Sequence, residues 1–154
     1  ELRTAGPSHL LHRRRGRVYV LMATPGERDR GEVWTVDVDF EFQAARRLTA
    51  VPPEHPCARL HGHTFRCTLS VSGGLVPGLD WVVDFADVER VAEGLRGVLE
   101  HRYLNEIEGL ENPTSEVLAR WMWDRAIPTL PGLTCIVVGE STRTRCSYRA
   151  APTQ

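Results

Sequence analysis

Trp34, Val36, Val38, Phe40 and Phe42 alternate with Thr35, Asp37, Asp39 and Glu41. A strict period of two predicts a half-buried strand. Phe65, Cys67, Leu69 and Val71 alternate with Thr64, Arg66, Thr68 and Ser70 and predict a second. Gly73-Gly74 and Pro77-Gly78 mark the turn that follows. The period then changes. Phe85, Val88, Val91, Ala92, Leu95, Val98 and Leu99 have helical spacing, with Asp84 as the N-cap. A second helix is expected to start at Asn112-Pro113, cap and first-turn proline, and to run to about Ala126 before Pro128 and Pro131-Gly132. Cys135 to Gly139 and Arg145 to Arg149 read as two further strands. The order strand, strand, helix, helix, strand, strand predicts an α+β fold, an antiparallel four-stranded sheet with two helices on one face.

The chain of 154 residues suits one domain over 32–150, preceded by an accessory or disordered arm at 1–31 and followed by a tail at 151–154. Inside the arm, 17–22 has the composition of a short extra strand, and Arg13-Arg14-Arg15 reads as a solvated run. Net charge is −1, which gives no global basic field for nucleic acid or an anionic membrane. No run reaches the roughly 18 apolar residues of a membrane span. The charged stretch Gly26 to Gly31 argues against a signal peptide. Cys57, Cys67, Cys135 and Cys146 show no C-x-x-C and read as reduced thiols, so a cytoplasmic location is expected. All 19 basic residues are arginine, a bias of a GC-rich genome rather than of arginine chemistry.

His61-Gly62-His63, with Cys57 upstream, is the candidate chemistry. In a strand, side chains i and i+2 point the same way, so both imidazoles face one spot beside a thiol. Alone, the pair fits either two metal ligands or two hydrogen-bonded histidines at a strand start.

From Phe40 to Tyr148 the chain resembles the 6-pyruvoyl-tetrahydropterin synthase and 6-carboxy-tetrahydropterin synthase family, and its bacterial 6-carboxy branch, which feeds deazapurine biosynthesis, most closely. The resemblance is carried by Phe40 to Ala45, Cys57 to His63, Val83-Asp84-Phe85, His101 to Asn105, Asn112 to Glu116 and Gly139-Glu140-Ser141, in family order. It implies a tunnelling fold, with three sheets closing a barrel, two barrels stacking as a homohexamer (a dimer of trimers), and active sites between subunits. It implies action on the small molecule dihydroneopterin triphosphate. Zn2+ held by three histidines would grip substrate oxygens, a thiolate would take a proton from carbon, and a carboxylate–histidine pair would relay protons. Carried over, His61 and His63 are metal ligands, Cys57 the base, Glu100 and His101 the relay, and Glu140 the anchor of the pterin ring. Thr114 and Arg46 complete the substrate-binding set. Arg59 and Arg46 are cationic neighbours that favour the Cys57 thiolate.

Two positions depart from the family words. Arg46 stands where the third zinc histidine belongs, and Glu100 where the relay has Asp. A guanidinium has no lone pair to offer. At about 4 Å from a divalent ion it adds repulsion on the order of 8 kcal/mol at an effective dielectric of about 20. His55 and Glu54 are the conceivable replacement ligands. Three readings follow: a pterin lyase, a relative repurposed for another small molecule in specialised metabolism with Arg46 as a fixed cation in place of zinc, and a non-catalytic pterin- or purine-binding hexamer.

Overall fold

A computed structural model describes residues 11–14, 17–20 and 31–150. Two short strands, β1 (Leu11–Arg14) and β2 (Arg17–Val20), pair as an antiparallel hairpin. The second falls within the stretch expected at 17–22. The rest of the N-terminal arm and the tail at 151–154 lie outside the described residues.

The body follows the predicted order, with β3 (Trp34–Arg46), β4 (His61–Gly73), α1 (Phe85–Leu99), α2 (Ser115–Ala126), β5 (Leu133–Gly139) and β6 (Arg145–Tyr148). All pairings in the sheet β3-β4-β5-β6 are antiparallel. Alternation sorts its two faces. Phe40, Phe42 and Ala44 of β3 and Phe65, Cys67, Leu69 and Val71 of β4 are buried on one face. Phe42 and Phe65 lie directly opposite each other and stack with centroids 4.9 Å apart. Each is worth about 2–3 kcal/mol in burial. The other face is polar: Thr68 donates to Asp39 at 2.6 Å and Arg66 pairs with Glu41 at 2.7 Å.

Helix α1 packs on β3, and α2 on β5 and β6. Asp84 caps α1 by accepting from Ala86 N–H at 3.0 Å. Its buried stripe is Val88, Ala92, Leu95 and Leu99, narrower than the expected set, since Phe85 and Val98 are exposed on its flanks. The start of α2 differs from expectation. Thr114, not Asn112, is the N-cap, its hydroxyl accepting from Val117 N–H. The Asn112 side chain instead accepts from Thr49 N–H at 2.8 Å and pins the β3–β4 connection.

Where α1 ends, Glu100 is the C-cap and His101 follows with φ +56°. That left-handed position ordinarily belongs to glycine. Two backbone bonds hold it against β3: His101 N–H to Gln43 O at 2.7 Å, and Ala45 N–H to Arg102 O at 2.9 Å. A non-glycine residue here costs about 1–2 kcal/mol. His101→Gly should therefore stabilise the fold by up to about 1 kcal/mol in urea denaturation, after glycine's own entropic cost, while removing the imidazole. A destabilised variant would show that the His101 side chain is held for packing.

Candidate active site

The site grows from the register of β3 and β4. Arg46 is opposite His61, and Ala44 opposite His63, on the sheet's buried face. The i, i+2 spacing does bring the two imidazoles together, with perpendicular rings and centroids 5.0 Å apart. His63 also meets the edge of Phe65 at 5.6 Å.

Arg46 is the only buried charged side chain among the described residues, at 2% exposure. Its guanidinium lies 5.4 Å from the Phe65 ring centroid. Nη1 donates to Pro113 O at 2.7 Å and Nη2 meets Glu140 Oε1 at 2.7 Å. Glu140, just past the end of β5, also accepts from the Ser115 hydroxyl in the first turn of α2. Its other oxygen lies 3.7 Å from His63 Nε2. One ion pair thus ties together the end of β3, the entry to α2 and the exit of β5. The charge of Arg46 is met inside the protein, by Glu140.

Burial pushes the Glu140 carboxyl up, but the hydrogen bonds from Ser115 and Arg46 and the adjacent positive charge outweigh it and hold it below the usual carboxylate range. His63 is lowered, first by burial, then by the Arg46 charge, with Glu140 opposing. His63 is therefore neutral at pH 7 beside an ionised Glu140. His61 Nδ1 lies 2.7 Å from Arg59 O. A carbonyl only accepts, so Nδ1 carries the proton and, in the neutral ring, Nε2 keeps the lone pair.

The remaining predicted residues are spread around this cluster. Cys57 is half-buried in a single 3-10 turn, Pro56–Ala58. Its N–H donates to His55 Nδ1 at 3.1 Å and its carbonyl accepts from Leu48 N–H at 2.7 Å. His55 is thereby the cap of this turn rather than a replacement metal ligand, and Glu54 is exposed. His101 and Glu100 meet at 3.1 Å, with the imidazole 77% exposed. An open groove of about 580 Å³ brings His101 and Tyr103 together with Gln43, Gly62 and His63, and Cys57 is not among its lining residues. Thr114 serves as the α2 cap.

Three contributors escape the sequence reading: Ser115, the Pro113 carbonyl and Asn105. Asn105 accepts from Arg47 N–H at 3.0 Å and donates to Arg47 O at 2.9 Å, mimicking a strand partner just after Arg46. Ser115 stands beside the cap in a helix-start word, which is the one sequence signal for it; a carbonyl leaves none.

Among the described residues, no three His, Cys, Asp or Glu side chains converge as a metal-binding group. Two imidazoles with a guanidinium as third member do not fit a three-histidine zinc site. Nor is any helix of the described residues long and apolar enough to cross a membrane.

An antiparallel four-stranded sheet with two helices on its core face, and a cluster of His, Arg and Glu where two strands end, define a small α+β enzyme-like scaffold. Residues 35–151 match the profile of the 6-pyruvoyl tetrahydropterin synthase family. A 6-carboxy-5,6,7,8-tetrahydropterin synthase of Synechocystis sp. is 34% identical over 126 residues, covering 75% of this chain and 93% of that protein. A dihydroneopterin monophosphate aldolase of Pyrococcus furiosus is 41% identical over 73 residues, 47% of this chain and 60% of that enzyme. In structure, the Caenorhabditis elegans 6-pyruvoyl tetrahydropterin synthase superposes with a TM-score of 0.72 at 20% identity, covering 78% of this chain and 97% of that one. The chain belongs to the 6-pyruvoyl tetrahydropterin synthase family, has its tunnelling fold and is a lyase of that family.

Proposed function

We infer that the protein is a pterin-type lyase that acts by proton transfer and elimination on dihydroneopterin triphosphate or a related heterocycle, without a tightly held zinc. The observation that carries the second half is the ion pair of buried Arg46 with Glu140, beside His61 and His63. The relatives named as a 6-carboxy-tetrahydropterin synthase and a dihydroneopterin monophosphate aldolase support the substrate class.

The residues divide the work as follows. Glu140 Oε1 is committed to Arg46 and Ser115. Oε2 is the oxygen left to accept an N–H of the heterocycle. Cys57 takes the proton from carbon, and His101, oriented by Glu100, returns one. Because Cys57 and His101 do not share a groove within one chain, the complete site uses His101 of one subunit with Cys57 of another. Arg46 holds Glu140 ionised and fixed, where the resemblance has a third zinc histidine. The same ion pair argues against Arg46 as a free cation that grips a substrate anion, since Glu140 already meets its charge.

Assembly follows from edges. β3 is an edge strand of 13 residues; residues 101–103 bond its outer side near its end, at Gln43 and Ala45, and among the described residues no strand covers the rest. Such an edge calls for a partner. A homohexamer, a dimer of trimers, is expected in light scattering; a monomer of 17.3 kDa at micromolar concentration would contradict it.

Replacing Arg46 with His should create the missing imidazole and raise zinc uptake from well below to near one ion per chain, read by elemental analysis. No gain in zinc would show that position 46 does not reach the metal. The reading as a whole is tested by incubating the protein with dihydroneopterin triphosphate and following triphosphate release. Release in a metal-chelating buffer supports it. No release with or without added zinc moves the assignment to another substrate or to a binding role.

A further inference from the structure

Cys57 lies in the connection 47–60 between β3 and β4, on the turn Pro56–Ala58. One backbone bond ties the thiol's residue back across that connection: Leu48 N–H donates to Cys57 O at 2.7 Å. The place of Cys57 therefore depends on the place of Leu48. Leu48 in turn sits between two residues that are held from outside the connection. Arg47 N–H donates to Asn105 Oδ1 at 3.0 Å, and Arg47 O accepts from Asn105 Nδ2 at 2.9 Å. Thr49 N–H donates to Asn112 Oδ1 at 2.8 Å, and Ala50 N–H donates to the same oxygen at 3.3 Å. The Thr49 hydroxyl shares its hydrogen between Glu111 O and Asn112 Oδ1.

Both asparagines stand on the segment between α1 and α2, and both are anchored there. Asn105 follows buried Leu104, and Asn112 precedes buried Pro113. Asn105 Nδ2 also donates to Glu111 O at 3.0 Å, so the two side chains brace each other through the residue before Asn112. Arg47, Thr49 and Ala50 are exposed, and water could serve their backbone groups. The asparagines therefore fix the position of these groups rather than merely satisfy them.

We propose that Asn105 and Asn112 are positioning residues for the Cys57 thiol, acting through Leu48. The proposal rests on the reading of Cys57 as the base and supplies the device that aims it. A general base works only within about 2.6–3.2 Å of the proton it takes, and a misplacement of about 1 Å can cost about 100-fold in rate. A thiol on an untethered connection would spend little of its time within that distance. Asn112 is the more discriminating of the two positions. Its bonds into the connection are all accepted at Oδ1, so a carboxylate can replace its amide. Asn105 both accepts and donates, which aspartate cannot reproduce. Asn105 also shares its segment with His101, so its loss would disturb the relay as well as the thiol.

The test has two arms. In the first, Asn112→Ala should lower kcat for triphosphate release about 10- to 100-fold with KM changed by less than about threefold, whereas Asn112→Asp should stay within about threefold of the unsubstituted rate. In the Cys57→Ala background, Asn112→Ala should cost nothing further, because no thiol is left to misplace. An unchanged rate in Asn112→Ala, an Asn112→Asp as slow as Asn112→Ala, or a loss that multiplies in full onto that of Cys57→Ala overturns the proposal. Asn105→Ala repeats the first comparison should Asn112→Ala not fold. The second arm needs no substrate. Hydrogen exchange read by mass spectrometry should find Leu48 N–H protected in the unsubstituted protein and in Asn112→Asp, and at least about tenfold faster in Asn112→Ala. Equal exchange in all three overturns the clamp. If the unsubstituted protein releases no triphosphate, the pterin reading fails, and the exchange alone decides whether the asparagines hold the thiol's turn.

Discussion

Cys57→Ala should lower turnover about 10²- to 10⁴-fold, the usual contribution of a general base, while heterocycle binding survives. The thiol is half-buried, and the turn that carries it is held by backbone groups: Cys57 N–H to His55 and Cys57 O from Leu48 N–H. Alanine keeps both bonds, so the fold should not suffer. Steady-state release of triphosphate, or of the leaving group of whichever substrate is found, gives the rate. Equilibrium titration with a product-like pterin gives the binding. A variant that turns over at the unsubstituted rate removes Cys57 from the mechanism, and one that loses binding and rate together assigns it to ligand contact instead.

Glu140→Ala should act in the opposite order, weakening binding and also destabilising the fold. The substitution strands Arg46, 2% exposed, without its anion. Removing one partner of a buried pair costs about 3–5 kcal/mol. The Glu140 side chain keeps 27% exposure, so the lower end applies. That is a large share of a total stability of about 5–15 kcal/mol. Urea denaturation at fixed protein concentration measures it. The double variant Arg46→Met/Glu140→Ala should lose less than Glu140→Ala alone, because no orphaned cation remains. Additive losses would show that the two charges do not support each other.

The architecture was legible because burial has a period. Alternation at 34–42 and 64–71 gave two strands, and the switch to helical spacing at Phe85 gave α1. Both strands run further than hydrophobicity alone indicated. β3 continues to Arg46 and β4 begins at His61 because inward positions stay inward even when their residues are polar. The same parity made His61 and His63 readable as a pair. The onset of α2 was misplaced because Asn112 looks like a cap and is instead a side-chain tether for Thr49. The Arg46–Glu140 bond was not legible. It joins the end of β3 to the exit of β5, and depends on how far β5 runs before the chain turns. The departure at Arg46 was visible in the sequence, where it suggested a cation facing a substrate anion. The fold supplies an internal anion instead. The left-handed backbone of His101 was equally hidden, because nothing local distinguishes it from an ordinary helix end.

The central claim is that a guanidinium–carboxylate pair stands where a zinc site would be expected. Elemental analysis of the native protein, purified without added metal or chelator, tests it most directly when triphosphate release is assayed on the same preparation. The Arg46–Glu140 ion pair predicts zinc well below one ion per chain, with activity that a chelator does not abolish. One tightly held zinc per chain, with activity lost on its removal, would contradict it.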